Sequence, residues 1–72
     1  MEMHTGFVVK LLRQKKCGFI RLADGSEDLF FHVSGVTDSD GYDGLLEGVE
    51  VCFLIVENPG RDRRKAIGIV RN

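Results

Sequence analysis

The segment of residues 17–33 constrains the fold more strongly than any other part of this sequence. It contains two short runs of strand-forming residues, 17–23 and 28–33, which are separated by the turn residues Asp24-Gly25-Ser26. This pattern predicts a β-hairpin. Because successive side chains of a strand point to opposite faces of a sheet, one face is predicted to be core. The residues on that face are Gly18, Ile20, Leu29, Phe31 and Val33.

The opposite face of the predicted hairpin carries three aromatic side chains, Phe19, Phe30 and His32. Three rings on the solvent side of a small sheet are hard to explain by folding alone. Aromatic side chains stack on unpaired bases, and each stacked base contributes about 1–3 kcal/mol. We therefore predict that these rings lie bare and coplanar and bind single-stranded nucleic acid. The alternatives are that Phe19 packs under a loop and that His32 is an ordinary hydrogen-bonded surface histidine.

Three further segments have the composition of β-strands: residues 5–13, 49–57 and 65–71. The first lacks clean alternation, which predicts either burial on parts of both faces or a bulge. Residues 34–36 are predicted to form one helical turn, and no longer helical periodicity is present. The side chains predicted to point inward from the last two strands are Val51, Phe53, Ile55, Ile67 and Ile69.

Five strands in 72 residues would leave open sheet edges unless the sheet closes on itself. The sequence therefore predicts an all-β fold, a five-stranded antiparallel barrel, with residues 1–72 forming one domain. A domain of this size buries only about 60% of the surface of its unfolded chain, so it has little stability to spare.

The two strands of the hairpin resemble the two ribonucleoprotein motifs of the cold-shock domain. Lys-Cys-Gly-Phe-Ile at residues 16–20 is similar to the Lys-Gly-Phe-Gly-Phe-Ile of the first motif, with Lys16 in place of its first glycine and Cys17 in place of its first phenylalanine. Leu-Phe-Phe-His-Val at residues 29–33 is similar to the Val-Phe-Val-His-Phe of the second, and the spacing agrees. The chain also resembles the cold-shock repeats of the upstream-of-N-ras type. The resemblance covers almost the whole chain and implies an OB-type barrel that binds single-stranded RNA or DNA.

The resemblance places the family's base-stacking positions at Lys10, Leu11, Cys17, Phe19, Phe30, His32, Val33 and Tyr42. Only Phe19, Phe30, His32 and Tyr42 keep a ring. If each lost stack costs about 1 kcal/mol, the four losses predict an affinity lower by about two decades or more. Tyr42 lies in a glycine-flanked loop, and a role in anchoring that loop is an equal alternative to stacking.

The charges of the chain are segregated, although the formal net charge is only −1. Basic residues occupy both ends, and every formal charge from Asp24 to Glu57 is negative. If the fold brings the two ends together, their cations would form a positive rim beside the rings. The alternative is that they are ordinary solvated edge and loop residues. The predicted phosphate contacts are Lys10, Lys15, Lys16 and Arg61.

The sequence lacks the motifs of an enzyme or of a cofactor site. No serine or cysteine has a motif that would pair it with His32, and no phosphate-binding glycine loop is present. Cys17, Cys52, His4 and His32 are too scattered to suggest zinc. We therefore predict a non-enzymatic protein without a cofactor or metal. Two cysteines, no signal-peptide pattern and no long apolar run predict a soluble, cytoplasmic protein.

Two functional hypotheses follow. The first is a cold-shock-type module that binds single-stranded RNA or DNA without strong sequence preference, as an RNA chaperone or a regulator of gene expression. The second is a protein-interaction or dimerisation module, built on a cold-shock barrel that has lost most of its nucleic-acid affinity and using Leu54, Val56 and the acidic loop. The sequence leaves open the choice between RNA and DNA, and between a monomer and a strand-swapped dimer.

Overall fold

Five strands make up most of the computed structural model, which describes residues 2–57 and 64–72. They are β1 (His4–Leu12), β2 (Cys17–Leu22), β3 (Asp28–His32), β4 (Glu50–Glu57) and β5 (Arg64–Arg71). Their spatial order is β1-β2-β3-β5-β4, and β4 pairs with β1 to close the barrel. The predicted five-stranded barrel is thereby confirmed. One pairing departs from the antiparallel pattern, because β3 and β5 run parallel and meet at Phe30 and Lys65.

A bulge in β1 explains why its sequence does not alternate cleanly. Val8 pairs with Ile20 of β2, whereas Lys10 pairs with Phe19, so Val9 is an extra residue in the ladder. Val8 is fully buried before the bulge, and Leu11 packs against the core after it. Even-numbered side chains of β1 therefore point inward before the inserted residue, and odd-numbered side chains point inward after it.

A second irregularity, in β5, overturns one sequence prediction. Ala66 and Ile69 are the buried residues of this strand, whereas Ile67 is only half-buried. Gly68 lies between them with a φ of 61°, in the left-handed region that favours glycine. The register against β4 shifts by one residue there, so the predicted inward pair of Ile67 and Ile69 is wrong for Ile67.

The core lies inside the barrel and receives side chains from all five strands. Phe31 of β3 and Phe53 of β4 are both fully buried, and each contributes about 1.5–3 kcal/mol through the burial of its side chain. The hairpin of β2 and β3 has the predicted inward face, since Gly18, Ile20, Leu29 and Phe31 are all buried. Among the described residues, the other fully buried large side chains are Val8, Leu45, Val51 and Ile69.

Two short 3-10 helices connect β3 to the loop that precedes β4. The first is Val33–Gly35, one residue earlier than predicted, and the second is Tyr42–Gly44, which was not predicted. In the part of the chain described, no helix has the length and hydropathy to cross a membrane.

Asp38 fastens the loop after the first 3-10 helix to the end of β5. One oxygen of its carboxylate accepts a hydrogen bond from the backbone N–H of Arg71 at 2.7 Å, and the other accepts from the N–H of Asp40 at 3.0 Å. The Arg71 guanidinium also forms ion pairs with the carboxylates of Asp38 and Asp40. These hydrogen bonds, the one from the Arg71 backbone above all, lower the pKa of Asp38 below its ordinary value.

The Asp38 contacts predict a specific dependence of stability on pH. Because the pKa of this aspartate is lower in the folded chain than in the unfolded chain, its contribution is complete above the unfolded pKa. That contribution to stability is lost as the pH falls through the pKa of Asp38 in the folded chain. We expect Asp38→Asn to lower the melting temperature at neutral pH. The melting temperature of this variant should then fall less than that of the unmodified protein as the pH is lowered. Thermal melts of both proteins across the acidic range measure this, and parallel pH profiles would contradict it.

Candidate nucleic-acid interface

A row of four side chains crosses the outer face of the barrel from β1 to β5. Lys10 of β1 pairs with Phe19 of β2, Phe19 pairs with Phe30 of β3, and Phe30 pairs with Lys65 of β5. Side chains of directly paired residues project from the same face of a sheet. The two phenylalanines are therefore neighbours, with a lysine on either side. We call these four residues the aromatic row.

The two phenylalanine rings of the aromatic row meet edge to face. Their centroids lie 5.9 Å apart and their planes are inclined by 72°. This geometry is favourable for an aromatic pair, by about 0.5–1.5 kcal/mol beyond the area that the rings bury. The prediction of bare, coplanar rings is therefore wrong for Phe19 and Phe30, since the two planes are inclined and both side chains are half-buried. A single base cannot lie flat on both rings, so each ring offers a separate stacking face.

The aromatic row rests on an inner layer in which Gly18 leaves room for its neighbours. A Cβ atom at Gly18 would lie 2.8 Å from Cε1 of Phe31 and would collide with the backbone oxygen of Lys10. Only glycine fits between a buried ring and the backbone of β1. Gly18 thus allows β1 and β2 to approach at the point where Lys10 and Phe19 pair.

His32 extends the aromatic surface along β3, two residues beyond Phe30. It pairs with Cys17 of β2 and its side chain is exposed. The ring Nδ1 accepts a hydrogen bond from the backbone N–H of Ser34 at 3.2 Å and lies 3.1 Å from the Ser34 hydroxyl oxygen. These two contacts hold the ring in place. His32 therefore has the features of a hydrogen-bonded surface histidine while its ring remains accessible.

Tyr42 does not have the position that a stacking residue needs. Only 6% of its surface is exposed, and its hydroxyl donates a 2.7 Å hydrogen bond to the backbone oxygen of Cys17. Burial raises the pKa of this phenol. Arg13 covers the ring, with its guanidinium carbon 5.5 Å from the ring centroid. Contrary to the prediction of a base-stacking ring, Tyr42 anchors its loop, because neither face of the ring is open to a base.

The positions at which family rings are missing do not provide replacement surfaces. Cys17 is 6% exposed, and Leu11 and Val33 pack against the core. Lys16, which replaces the glycine of the first motif, has a φ of 55°. A left-handed conformation costs a residue with a Cβ atom about 1–2 kcal/mol. The turn thus keeps the backbone shape that suits glycine, while the chain gains a cation next to the hairpin.

Within the described residues, the cations that pair directly with the two phenylalanines of the aromatic row are lysines. Lys10, Lys15 and Lys16 are exposed, and Lys65 is half-buried. Among the ion pairs within residues 2–57 and 64–72, none involves a lysine. Three arginines are instead neutralised by carboxylates: Arg21 by Asp28, Arg64 by Glu27, and Arg71 by Asp38 and Asp40. The predicted contact at Arg61 lies outside the described residues.

Lys65 is a member of the aromatic row that the sequence did not indicate as a site residue. Its place depends on the parallel contact between β3 and β5, which are separated by more than thirty residues in the chain. The buried neighbour Ala66 fixes Lys65 on the outer face. No local pattern could pair Lys65 with Phe30, because closure of the barrel alone brings β5 beside β3.

A cleft of about 250 Å³ opens beyond the end of the hairpin. It is lined by Arg13, Lys16, Val33, Asp40, Gly41, Tyr42 and Asp43. Its two carboxylates oppose its two cations, so the cleft has no net charge that would attract phosphate. Lys10 and Lys65 of the aromatic row, by contrast, belong to no ion pair within residues 2–57 and 64–72.

Comparison with known proteins identifies the family of this barrel. Residues 4–71 match the model of the "'Cold-shock' DNA-binding domain" family. Cold shock-like protein CspD of Bacillus cereus is 39% identical over 70 residues, which cover 97% of this chain and 100% of that protein. Glycine-rich protein 2 of Nicotiana sylvestris is 48% identical over 56 residues, 78% of this chain but 25% of that protein.

A second cold shock-like protein of Bacillus cereus, CspB, is 52% identical over 44 residues, which are 61% of this chain and 65% of CspB. The chain thus spans a quarter of the glycine-rich protein and just under two thirds of this CspB. The match to the family model, by contrast, includes every strand of the barrel. The resemblance of the two motifs is therefore confirmed, membership supports nucleic-acid binding in general, and the chain belongs to the cold-shock domain family.

Proposed function

We propose that this protein binds single-stranded RNA or DNA on the outer face of β2 and β3. Bases stack on Phe19, Phe30 and His32, while Lys10 and Lys65 contact the phosphates on either side. The observation that supports this proposal most directly is the aromatic row, in which two adjacent rings are flanked by lysines across four strands. Rings beside cations are the combination that binds unpaired strands with little sequence preference.

The interface is expected to be weaker than one with the full set of family rings. Leu11, Cys17 and Val33 offer no ring, and Tyr42 offers no open face. Stacking does not sense the ribose 2′-hydroxyl, so RNA and DNA strands of the same length should bind with similar affinity. Weak, sequence-tolerant binding suits a protein that keeps RNA unpaired, and we propose an RNA chaperone or a regulator of gene expression.

A titration with fluorescently labelled oligo-dT and oligo-U at two salt concentrations tests the proposed function. Binding should be detected by fluorescence anisotropy with both strands and should weaken as salt rises, because bound phosphates release counterions. A fully paired duplex of the same length should bind less tightly, since its bases are already stacked on one another. Absence of binding at the lower salt concentration would refute the proposed function.

Removing one lysine of the aromatic row should change the salt dependence more than removing a lysine elsewhere. We expect Lys10→Gln to reduce the slope of log affinity against log salt by about 0.7, the value for one phosphate of a single strand. Lys15→Gln removes the same charge in the turn between β1 and β2, outside the row. The sequence also predicts a phosphate contact at Lys15, so the comparison measures whether the row contributes more than that turn. Equal slopes for the two variants would indicate bulk charge rather than the aromatic row.

A further inference from the structure

The outer face of β4 and β5 is apolar, which is unusual for a sheet surface that faces water. Antiparallel strands with one solvated face normally alternate between apolar and polar side chains. Here the outward positions are apolar as well as the inward ones. They are Cys52, Leu54 and Val56 on β4, and Ile67 and Val70 on β5, and all five are half-buried. We call these five residues the β4–β5 stripe.

The members of the β4–β5 stripe lie side by side. Cys52 pairs with Val70, and Leu54 pairs with Ile67. Val56 pairs with Lys65, so the stripe ends beside the aromatic row. Exposed apolar patches that are bordered by polar residues mark contacts with other macromolecules. The half-buried side chains of the stripe leave part of such a patch accessible.

The two ends of the β4–β5 stripe carry opposite charges. Glu50 is the outward residue of β4 at one end, and Lys65 is the outward residue of β5 at the other. Neither belongs to an ion pair within the described residues. The β4–β5 stripe has the Glu50 carboxylate at one end and the Lys65 ammonium at the other. It is therefore complementary to the stripe of a second copy that runs in the opposite direction.

We propose that the β4–β5 stripe is the contact surface of a homodimer, in which two barrels pack face to face about a two-fold axis perpendicular to the strands. In this arrangement the Cys52 end of each stripe lies over the Val56 end of the partner's stripe, and Leu54 lies near the axis. Glu50 of one copy then lies within reach of the partner's Lys65. The inference goes beyond the proposed function, since it concerns a protein partner and the adjoining face of β4 and β5, which shares only Lys65 with the aromatic row.

The charges of Glu50 and Lys65 favour a two-fold axis perpendicular to the strands over one parallel to them. An axis parallel to the strands would keep the two Lys65 side chains at the same end of the interface, where like charges repel each other. Because the barrel is closed, dimerisation by adding strands to a free edge is not the natural route. Face-to-face sheets instead pack about 10 Å apart and within about 30° of alignment, which the two apolar stripes permit.

Sedimentation velocity of the protein without nucleic acid tests the dimer. A small apolar interface of this kind predicts weak association, with a Kd on the order of 100 µM. We expect the mean mass to rise from 8.1 kDa towards twice that value between about 10 µM and about 1 mM protein. A protein that stays at the monomer mass over this whole range would overturn the proposal.

Substitutions in the β4–β5 stripe locate the contact. Leu54→Glu should raise the dimer Kd at least about tenfold, because the two-fold axis places the new charge in the interface twice. Leu46→Glu is the matched control, since Leu46 is 67% exposed and lies outside the stripe. Circular dichroism checks that each variant is folded, and Ile67→Lys replaces Leu54→Glu if the latter does not fold. Equal weakening by the control would contradict the assigned face.

A charge exchange tests the arrangement of the two copies. Glu50→Lys and Lys65→Glu should each weaken the dimer, and the double variant should recover most of the association. Failure of the double variant to recover would overturn the end-to-end arrangement.

Oligonucleotide binding is measured separately on the same proteins. If the protein is monomeric and Leu54→Glu lowers its oligonucleotide affinity, the stripe belongs to the nucleic-acid surface and the dimer proposal fails while the proposed function stands.

Discussion

Replacement of Phe30 by alanine is expected to weaken the binding of a short oligo-dT or oligo-U strand by about five- to 150-fold. This range corresponds to the loss of one stacked base, about 1–3 kcal/mol. Phe30 is at the centre of the aromatic row, between Phe19 and Lys65, and it also holds Phe19 through the edge-to-face contact. The substitution therefore removes one stacking face and loosens the other. Fluorescence anisotropy at constant salt measures the change.

Phe7→Ala is the matched control for Phe30→Ala. Phe7 is an outward phenylalanine of β1 that is 43% exposed, but it pairs with Arg21 and lies outside the aromatic row. Its removal should leave the oligonucleotide affinity within about twofold of the unmodified protein. Phe30 is half-buried and in contact with Phe19, so thermal melts should show a larger loss of stability for Phe30→Ala than for Phe7→Ala. The affinities are therefore compared at a temperature at which both variants are folded. Equal loss of affinity for the two variants would mean that the rings bind nonspecifically and that the row has no special role.

The hairpin and its outer rings were predictable from sequence because they depend on local alternation alone. Phe19 and Phe30 belong to neighbouring strands joined by a short turn, so parity fixes their face and turn length fixes their register. The angle between the rings was not predictable in this way. It depends on how two side chains pack above Gly18 and Phe31, and the observed 72° inclination replaces the expected coplanar pair.

Features that depend on long-range packing or on an inserted residue were missed. Gly68 shifts the register of β5 by one residue, and a strict period of two then assigns Ile67 to the wrong face. Tyr42 lies in a loop without periodicity, and only the closed barrel shows that its hydroxyl reaches the backbone of Cys17. Lys65 joins the aromatic row through barrel closure, which no local signal encodes.

In β2, residues that face the proposed ligand alternate with residues that pack in the core. Phe19 projects towards the proposed ligand, while Gly18 and Ile20 on either side of it are buried. A substitution at an inward position should therefore affect the ligand surface through the spacing of the strands. Gly18 is the most sensitive such position, because both β1 and the Phe31 ring are in contact with it.

Gly18→Ala is expected to lower the free energy of unfolding by about 1–3 kcal/mol, the usual cost of forcing an extra carbon into a packed core. In a domain of this size the melting temperature should fall by about 4–8 °C for each kcal/mol. The new methyl group must displace either the Phe31 ring or the backbone of Lys10. Displacement of β1 also moves Lys10 away from Phe19, so the affinity for oligonucleotides should fall in the fraction that remains folded.

Gly25→Ala separates this steric effect from the general effect of replacing glycine. A Cβ atom at Gly25 meets no atom within 4 Å, although the φ of 76° makes alanine unfavourable there by about 1–2 kcal/mol. The cost at Gly25 is therefore confined to the turn, and the aromatic row should keep its full affinity for oligonucleotides. Chemical denaturation and anisotropy on both variants make the comparison. If Gly18→Ala retained full affinity and lost no more stability than Gly25→Ala, the close approach of β1 and β2 would not be what positions the aromatic row.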